Sequence, residues 1–245
     1  MTERLGFYER VLRDLLERRL VQRDWRVLVV AGGDLDRHAF AAAGFGDVTV
    51  TNLSGDQDEV QDAEQLTYDD DAFDFAVISA GLHHCASPHR ALLELYRVAR
   101  RGLLALEARD SALMRLAQRL GAVDEYELTA VADNDFAAGG VRNTPVPNYV
   151  YRWTEREVEK TIASAHPQRR HRFVFFREFE LPGSVLDLGG RSRWRLAETP
   201  VRLVTKAFPK QANLFAFAVF RGEVQPWMSD DETLDVAEVE RRLGR

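Results

Sequence analysis

Short strand-like runs alternate with helix-spaced segments along residues 26–106, and this alternation constrains the fold more than any other feature. Arg26–Val30 is rich in β-branched residues and precedes a Gly-Gly turn, after which 35–43 shows helical spacing of its apolar residues. The pattern continues with strand-like runs at 47–51, 73–78 and 103–106 and with a helical segment at 88–101. Strands that alternate with helices pair in parallel and carry the helices on both faces. The sequence therefore predicts an α/β fold with a doubly wound, mostly parallel sheet.

Composition and charge argue against several classes of partner. The net charge is −6 and the arginines are interleaved with acidic residues, so we expect no nucleic-acid partner. No apolar run approaches the roughly 20 residues that cross a bilayer, and the first residues lack a signal-peptide stretch. We therefore expect a cytoplasmic protein without membrane contact. The single cysteine, Cys85, excludes an internal disulfide and a cysteine-built zinc site, and we predict no metal site.

The loop after the first strand is the place to look for a ligand, because ligands of doubly wound sheets bind beyond the carboxyl ends of the strands. Gly32 and Gly33 let the backbone turn sharply and approach a ligand. Asp34 and Asp36 stand where the next helix begins and would repel a pyrophosphate, so a cationic ligand suits the loop better. The alternative is an ordinary tight turn whose aspartates cap the helix.

Several further motifs follow this loop in order, and together with it they resemble the motifs of class I S-adenosylmethionine-dependent methyltransferases. The segments that carry the resemblance are 27–33, 62–66, 72–77, 82–84 and 92–102. The resemblance implies a Rossmann-like methyltransferase sheet, S-adenosylmethionine as cofactor, and methyl transfer to small molecules, sugars or lipids.

The resemblance also implies roles for individual residues. Gly32 and Gly33 hold the methionine part of the cofactor, Asn52 binds the ribose, and Asp62 with Ala63 meets the adenine. Small residues after the third strand let the backbone pass the cofactor. The complete set of cofactor-binding positions that we predict is Ala31, Gly32, Gly33, Asp34, Asn52, Leu53, Asp62, Ala63, Glu64, Ala80 and Gly81.

The chain departs from the family pattern at four positions. The family usually has an acid where Val29 and Asn52 stand, and a glycine where Ala31 and Leu35 stand. These departures motivate a second hypothesis, a cofactor-binding protein that does not methylate or has been repurposed. A third hypothesis, a nicotinamide-dependent oxidoreductase, is opposed by the acidic loop and by its incomplete glycine pattern.

His83 and His84 follow the third long strand at the predicted mouth of the site. A histidine there can act as a general base, and we prefer His84 for this role. A capping or packing role for either histidine is the alternative.

An insertion over 111–153 breaks the strand–helix rhythm and is predicted to form a cap over the site. Asn148, Tyr149, Tyr151 and Arg152 offer amide, phenol and cation groups that suit a polar acceptor such as a sugar, although they could equally pack the insertion onto the sheet. We therefore predict methyl transfer to a hydroxyl, less readily an amine, of a small molecule or sugar.

The chain is predicted to form a single methyltransferase domain over 1–245. Its predicted parts are an N-terminal helix in 1–22, a cofactor-binding half in 24–110, the insertion in 111–153, the second half of the sheet in 154–222 and an acidic tail in 223–245. The sequence carries no signal for the oligomeric state.

Overall fold

The computed structural model describes residues 2–53, 58–180 and 191–244, and at the centre of this part of the chain lies a seven-stranded sheet in the order β3-β2-β1-β4-β5-β7-β6. Strands β1 to β5 pair in parallel, whereas β7 pairs antiparallel with both β5 and β6. The predicted doubly wound, mostly parallel sheet is thus confirmed. The strands are β1 Arg26–Val30, β2 Asp47–Asn52, β3 Glu59–Val60, β4 Phe73–Ser79, β5 Ala99–Ala108, β6 Arg169–Glu178 and β7 Leu214–Val224.

The helices connect these strands and cover the two faces of the sheet. Within the described ranges they are α1 Thr2–Glu17, α2 Asp34–Ala43, α3 Pro88–Val98, α4 Ala112–Arg119, α5 Leu128–Ala132, α6 Glu155–Ala165, α7 Arg191–Ala207 and α8 Val236–Leu243. Thr154 and Glu157 have the spacing of a helix N-terminal cap in the sequence and so predict the start of α6. The structure confirms it, since the Thr154 hydroxyl accepts a hydrogen bond from the Glu157 backbone N–H. No helix in these ranges is long and apolar enough to cross a membrane.

One prediction from charge alternation is wrong. The alternation of Arg191, Arg193 and Arg195 along the sequence favours a solvated surface strand, but these residues lie in α7. Arginine, leucine and alanine favour helix, and this preference outweighs a two-residue alternation of charge over so short a stretch. The predicted second half of the sheet also includes 181–190, which lies outside the described residues.

Alternate residues of the central strands face two separate apolar layers, because successive side chains of a strand point to opposite faces. On one face Leu28 and Ile78 pack with α3, and on the other Val27 and Val77 pack with α1 and α2. All four side chains are fully buried. This double burial explains why the strands read as continuous apolar runs rather than as alternating ones.

Gly102 stands where β5 approaches β7 too closely for any side chain. A Cβ atom there would lie 2.3 Å from the Val219 carbonyl oxygen. We expect Gly102→Ala to lower the free energy of unfolding by about 1–3 kcal/mol through forced movement of the strands, as measured by thermal or denaturant unfolding. Gly46→Ala is the matched control, because a Cβ at Gly46 would meet nothing within 4 Å. Equal stability of the two variants would contradict this account of the β5–β7 contact.

The insertion after β5 lies over the carboxyl ends of the parallel strands. It contains α4, α5 and a 3-10 turn at Val141–Asn143, which packs against a second 3-10 turn at Leu82–His84. A backbone bridge between Tyr126 and Tyr149 ties the two arms of the insertion together. The insertion is therefore placed to form one wall of any ligand site at this edge of the sheet.

Candidate active site

A cavity of about 230 Å³ lies at the carboxyl ends of β1, β2 and β4, under the insertion. The structure brings together eight of the eleven predicted cofactor-binding positions in its wall: Ala31, Asn52, Leu53, Asp62, Ala63, Glu64, Ala80 and Gly81. The other three, Gly32, Gly33 and Asp34, do not line it. The insertion closes the opposite side with Gly139, Gly140, Arg142 and Asn143.

Two alanines in the cavity wall have backbone conformations that normally favour glycine. Ala31 follows β1 with φ of 52°, and Ala80 follows β4 with φ of 51°. A left-handed conformation costs a residue with a side chain about 1–3 kcal/mol and persists only where the surroundings enforce it. Neighbouring parallel strands thus both end in a strained residue at the cavity, as expected for a wall shaped for a ligand.

The Gly-Gly turn is used chiefly to pack the turn against the sheet and to start α2. A Cβ on Gly32 would lie 2.7 Å from Val29 Cγ1, so only glycine fits there without movement. The Gly33 N–H donates to Asp36 Oδ2 at 2.9 Å, and Asp36 is buried beside Tyr8. The capping interpretation of this loop therefore holds for Asp36, whose carboxyl does not reach the cavity wall.

Asn52, at the end of β2, ties this turn to the neighbouring strand. Its Nδ2 donates to the Gly32 carbonyl at 3.1 Å, and its Oδ1 accepts from the Leu53 N–H at 2.8 Å. Leu53 beside it is 37% exposed and presents an apolar side chain to the cavity. Together they form a wall with one polar and one apolar part.

Asp62 faces the cavity and is held from both sides. Its Oδ1 accepts the Glu64 N–H at 2.9 Å, and its Oδ2 pairs with the Arg142 guanidinium of the insertion at 2.5 Å. Burial raises the pKa of Asp62, but the Glu64 N–H and Arg142 outweigh it and leave the pKa lowered. The Glu64 carboxylate itself accepts backbone N–H groups of Ala86 and Ser87 just before α3. Glu64 therefore positions α3, while Asp62 forms a charged contact with the insertion.

His83 is buried between two carboxylates. Its Nδ1 lies 2.7 Å from Glu107 Oε2, at the end of β5, and its Nε2 lies 3.4 Å from Glu127 Oε2 in the insertion. Burial lowers the pKa of His83, yet the two carboxylates outweigh it and raise the pKa to about 9. The facing His83 ring makes the largest contribution to lowering the pKa of Glu127 to about 2. With both ring nitrogens facing carboxylates, His83 is arranged to hold its neighbours and not to take a proton from a ligand.

His84 lines the cavity and is the histidine that a ligand can reach, with a third of its side chain exposed. Its Nε2 lies 3.5 Å from Glu127 Oε2. Burial and the adjacent His83 lower its pKa, so the ring is neutral near pH 7. A neutral imidazole keeps a lone pair that can accept a proton or bind a cation.

The four predicted acceptor-binding residues do not join this cavity. Asn148 is buried, and its Nδ2 donates to Glu127 Oε2 at 3.2 Å. Tyr149, Tyr151 and Arg152 line a second cavity of about 440 Å³. There the Tyr151 hydroxyl donates to Glu157, and Arg152 donates to the backbone carbonyls of Val150 and Asp124. These contacts show that the residues pack the insertion, and their role in acceptor binding stays a prediction.

Sequence reasoning missed Glu107, Glu127 and Arg142. Glu107 had a usable signal, because an acid at the carboxyl end of a buried strand faces the ligand edge of such a sheet. Glu127 and Arg142 lie in the insertion, where no periodicity predicts which side chains face the sheet.

The chain is similar to one family profile and to several solved structures. Residues 25–106 match the sequence profile of a family described as "Methyltransferase domain". The YcgJ protein of Bacillus subtilis is 13% identical, with a TM-score of 0.52 over 91% of this chain and 99% of that one. A Mesorhizobium loti S-adenosylmethionine-dependent methyltransferase is 16% identical (TM-score 0.47, 83% and 94% covered). The magnesium protoporphyrin IX methyltransferase of Synechocystis, solved with S-adenosylhomocysteine, is 12% identical (TM-score 0.47, 89% and 83% covered). No curated protein sequence matches the chain significantly.

Fold and cavity together define a Rossmann-like α/β domain with a candidate ligand site at the carboxyl edge of its sheet. Over residues 25–106 the chain is similar to a methyltransferase domain, and it shares its fold with the YcgJ protein. S-adenosylmethionine, the cofactor that the sequence resemblance implies, is therefore the ligand to compare with the cavity wall.

The residues in the cavity wall fit the adenosyl part of this cofactor. Leu53, Ala63 and Ala31 give apolar surface for a base and a sugar. Asp62 supplies a hydrogen-bond acceptor for an amine and, with Glu64, negative charge that suits a cationic ligand. The chemistry of the wall therefore matches the cofactor that the family uses.

Proposed function

We propose that the chain transfers the methyl group of S-adenosylmethionine to a hydroxyl group of a small polar molecule, such as a sugar. The observation that carries this proposal is the position of the His84 ring in the cavity wall, beside the predicted cofactor positions and with its Nε2 3.5 Å from Glu127 Oε2. The net charge of −6 supports a small-molecule acceptor over a nucleic acid.

S-adenosylmethionine, when bound, supplies a methyl group that its sulfonium has already activated. The protein then has three tasks. Leu53, Ala63 and Asp62 hold the adenosyl part, and Ala80 and Gly81 keep the wall beside it thin. The insertion covers the cavity and excludes water, which limits loss of the methyl group to solvent. His84 accepts the proton of the acceptor hydroxyl and aligns its oxygen with the methyl group.

A second candidate function is cofactor binding without methyl transfer. Several predicted cofactor positions already form contacts within the protein, and this favours the second candidate. The contacts are hydrogen bonds of the Gly33 N–H with Asp36 and of the Asn52 amide with Gly32 and Leu53, and the ion pair of Asp62 with Arg142. Saturable cofactor binding without turnover on any acceptor would support it.

The test of the proposed function is incubation of the purified chain with methyl-labelled S-adenosylmethionine and a panel of sugars, phenols, small alcohols and amines. We expect S-adenosylhomocysteine and labelled product to form in equal amounts with a hydroxylated acceptor. Labelled product from amines alone would contradict the hydroxyl assignment, and cofactor binding with no product from any acceptor would favour the second candidate.

The contact between Arg142 and Asp62 leads to a prediction about cofactor affinity. The Arg142 guanidinium occupies the carboxylate that the adenine amine is predicted to use, so the two compete. The Arg142 side chain is 52% exposed, and such an exposed ion pair is weak because solvent screens it. We expect Arg142→Ala to tighten S-adenosylmethionine binding by roughly 1.4- to 5-fold in calorimetric titrations.

Arg115→Ala is the matched control for this variant. Arg115 pairs with Asp110 at 2.7 Å with similar exposure, but it lines the second cavity. Its loss should leave cofactor affinity unchanged. Weaker binding in Arg142→Ala would show instead that Arg142 contacts the cofactor directly.

A further inference from the structure

We propose that His83, His84 and Glu127 bind a divalent transition-metal ion beside the cofactor cavity. One ligand atom from each side chain lies within 4.8 Å of the others. His83 Nε2 and His84 Nε2 lie 3.4 and 3.5 Å from the same atom, Glu127 Oε2. Ligand atoms of a tetrahedral site with bonds of about 2.0–2.2 Å lie roughly 3.3–3.6 Å apart, so the two separations from Glu127 Oε2 suit a shared cation.

The two distances are long for hydrogen bonds, whose N–H···O separations are about 2.7–3.2 Å. The His83 contact on its other nitrogen is short, at 2.7 Å from Glu107. Both histidine rings thus face the same Glu127 oxygen at separations longer than those of hydrogen-bonded partners.

Two of the three proposed ligands have a supporting contact of the kind that fixes metal ligands. The Nδ1 of His83 lies against the buried Glu107, which leaves Nε2 directed at the site. Glu127 accepts from Asn148 Nδ2 at 3.2 Å. Histidine ligands of metals almost always have a carboxylate or carbonyl on the second ring nitrogen, and such partners orient the ring.

The donor set indicates the class of cation. Two imidazoles and one carboxylate suit Zn²⁺, Co²⁺, Fe²⁺ or Mn²⁺, whereas Mg²⁺ and Ca²⁺ prefer oxygen ligands alone. Glu107 and Glu127 place two carboxylates around the site, which balance a divalent charge. On binding, the cation takes the place of the proton on His83 Nε2, which passes to solvent.

Three protein ligands leave a coordination position open, and His84 places the site at the cavity wall. An acceptor hydroxyl in that position would bind the cation through its oxygen and lose its proton more readily. With the cation bound, His84 serves as its ligand, the cation takes over the activation of the acceptor from the His84 ring, and the hydroxyl proton passes to solvent. This last step rests on the proposed methyl transfer, whereas cation binding itself does not.

No metal site was predicted from the sequence. The single cysteine excludes a cysteine-built site, and two adjacent histidines alone do not indicate a site of another kind. The third ligand comes from the insertion, and only the folded chain brings it to the histidines.

The experiment is a titration of the chelator-treated chain, residues 1–245, with Co²⁺, followed by its visible absorption, and with Zn²⁺, followed by calorimetry. We expect one equivalent of each to bind, with a Co²⁺ spectrum typical of nitrogen and oxygen ligands. His84→Ala and Glu127→Gln should abolish the spectrum, and Glu107→Gln should weaken binding about 10- to 100-fold. His38→Ala, at an exposed position of α2, is the control and should bind as the unaltered chain does.

Absence of saturable binding at one equivalent by the unaltered chain would overturn the proposal, as would binding by His84→Ala equal to that of the control. Circular dichroism of each variant shows whether it is folded. X-ray absorption of the unaltered protein with bound Zn²⁺ needs no variant, and a shell without imidazole nitrogens would also overturn the proposal. S-adenosylmethionine titrated into the same samples separates the two claims, because cation binding can persist where the cofactor fails to bind.

Discussion

Replacing His84 with alanine is expected to lower methyl transfer by about 10²- to 10⁴-fold while the affinity for S-adenosylmethionine stays the same. His84 is the histidine in the cavity wall of the described structure, and it acts on the acceptor hydroxyl and not on the cofactor. The rate should be measured as S-adenosylhomocysteine formed with an acceptor found in the panel. The cofactor dissociation constant should be measured by calorimetry on the same preparations.

His38→Ala removes an exposed imidazole from α2 and should keep full activity. Full activity of His84→Ala would assign His84 to packing, which is the alternative that the sequence leaves open. A loss of cofactor binding in His84→Ala would show that the ring belongs to the cofactor site and not to the acceptor site.

Replacing Glu107 with leucine is expected to lower the free energy of unfolding by about 3–5 kcal/mol. The Glu107 side chain is fully buried, and its two oxygens accept from the Leu82 N–H and contact His83 Nδ1, each at 2.7 Å. Leucine has nearly the same size but leaves a buried imidazole and a buried N–H without their partner. The measurement is denaturant unfolding at pH 7, followed by circular dichroism.

Glu178→Leu provides the comparison, because it makes the same substitution in an exposed pair. Glu178 contacts Arg10 at 2.6 Å, and both side chains are about half exposed, at 41% and 52%. Loss of such a pair is expected to change stability by less than about 1 kcal/mol. If the Glu107 variant were as stable as the Glu178 variant, the histidine–carboxylate cluster would not hold the site together.

Much of the fold could be predicted from the sequence because the strands are buried on both faces. Burial on both sides gives β1 and β4 continuous β-branched runs, and the glycine turn after β1 marks the edge where ligands bind. The start of α6 was equally readable, since Thr154 and Glu157 form a local cap. Signals of this kind depend on residues close together in the chain.

The parts of the site that could not be predicted depend on residues far apart in the chain. Glu127 reaches the histidines, and Arg142 reaches Asp62, only because the insertion folds back over the sheet. Loop geometry is set by such tertiary contacts and leaves no periodic pattern. Tyr149 and Arg152 show the same limit, since their chemistry suits a polar acceptor but the fold places them in a different cavity.

The cavity under the insertion is predicted to bind S-adenosylmethionine through the wall that includes Asp62. The most direct test is calorimetric titration of the purified chain with S-adenosylmethionine and, separately, with S-adenosylhomocysteine, repeated on Asp62→Ala. We predict saturable one-to-one binding of both ligands, weakened about 5- to 10-fold in Asp62→Ala by the loss of one hydrogen-bond acceptor. No detectable binding of either ligand, or equal affinity in the variant, would contradict this account of the site.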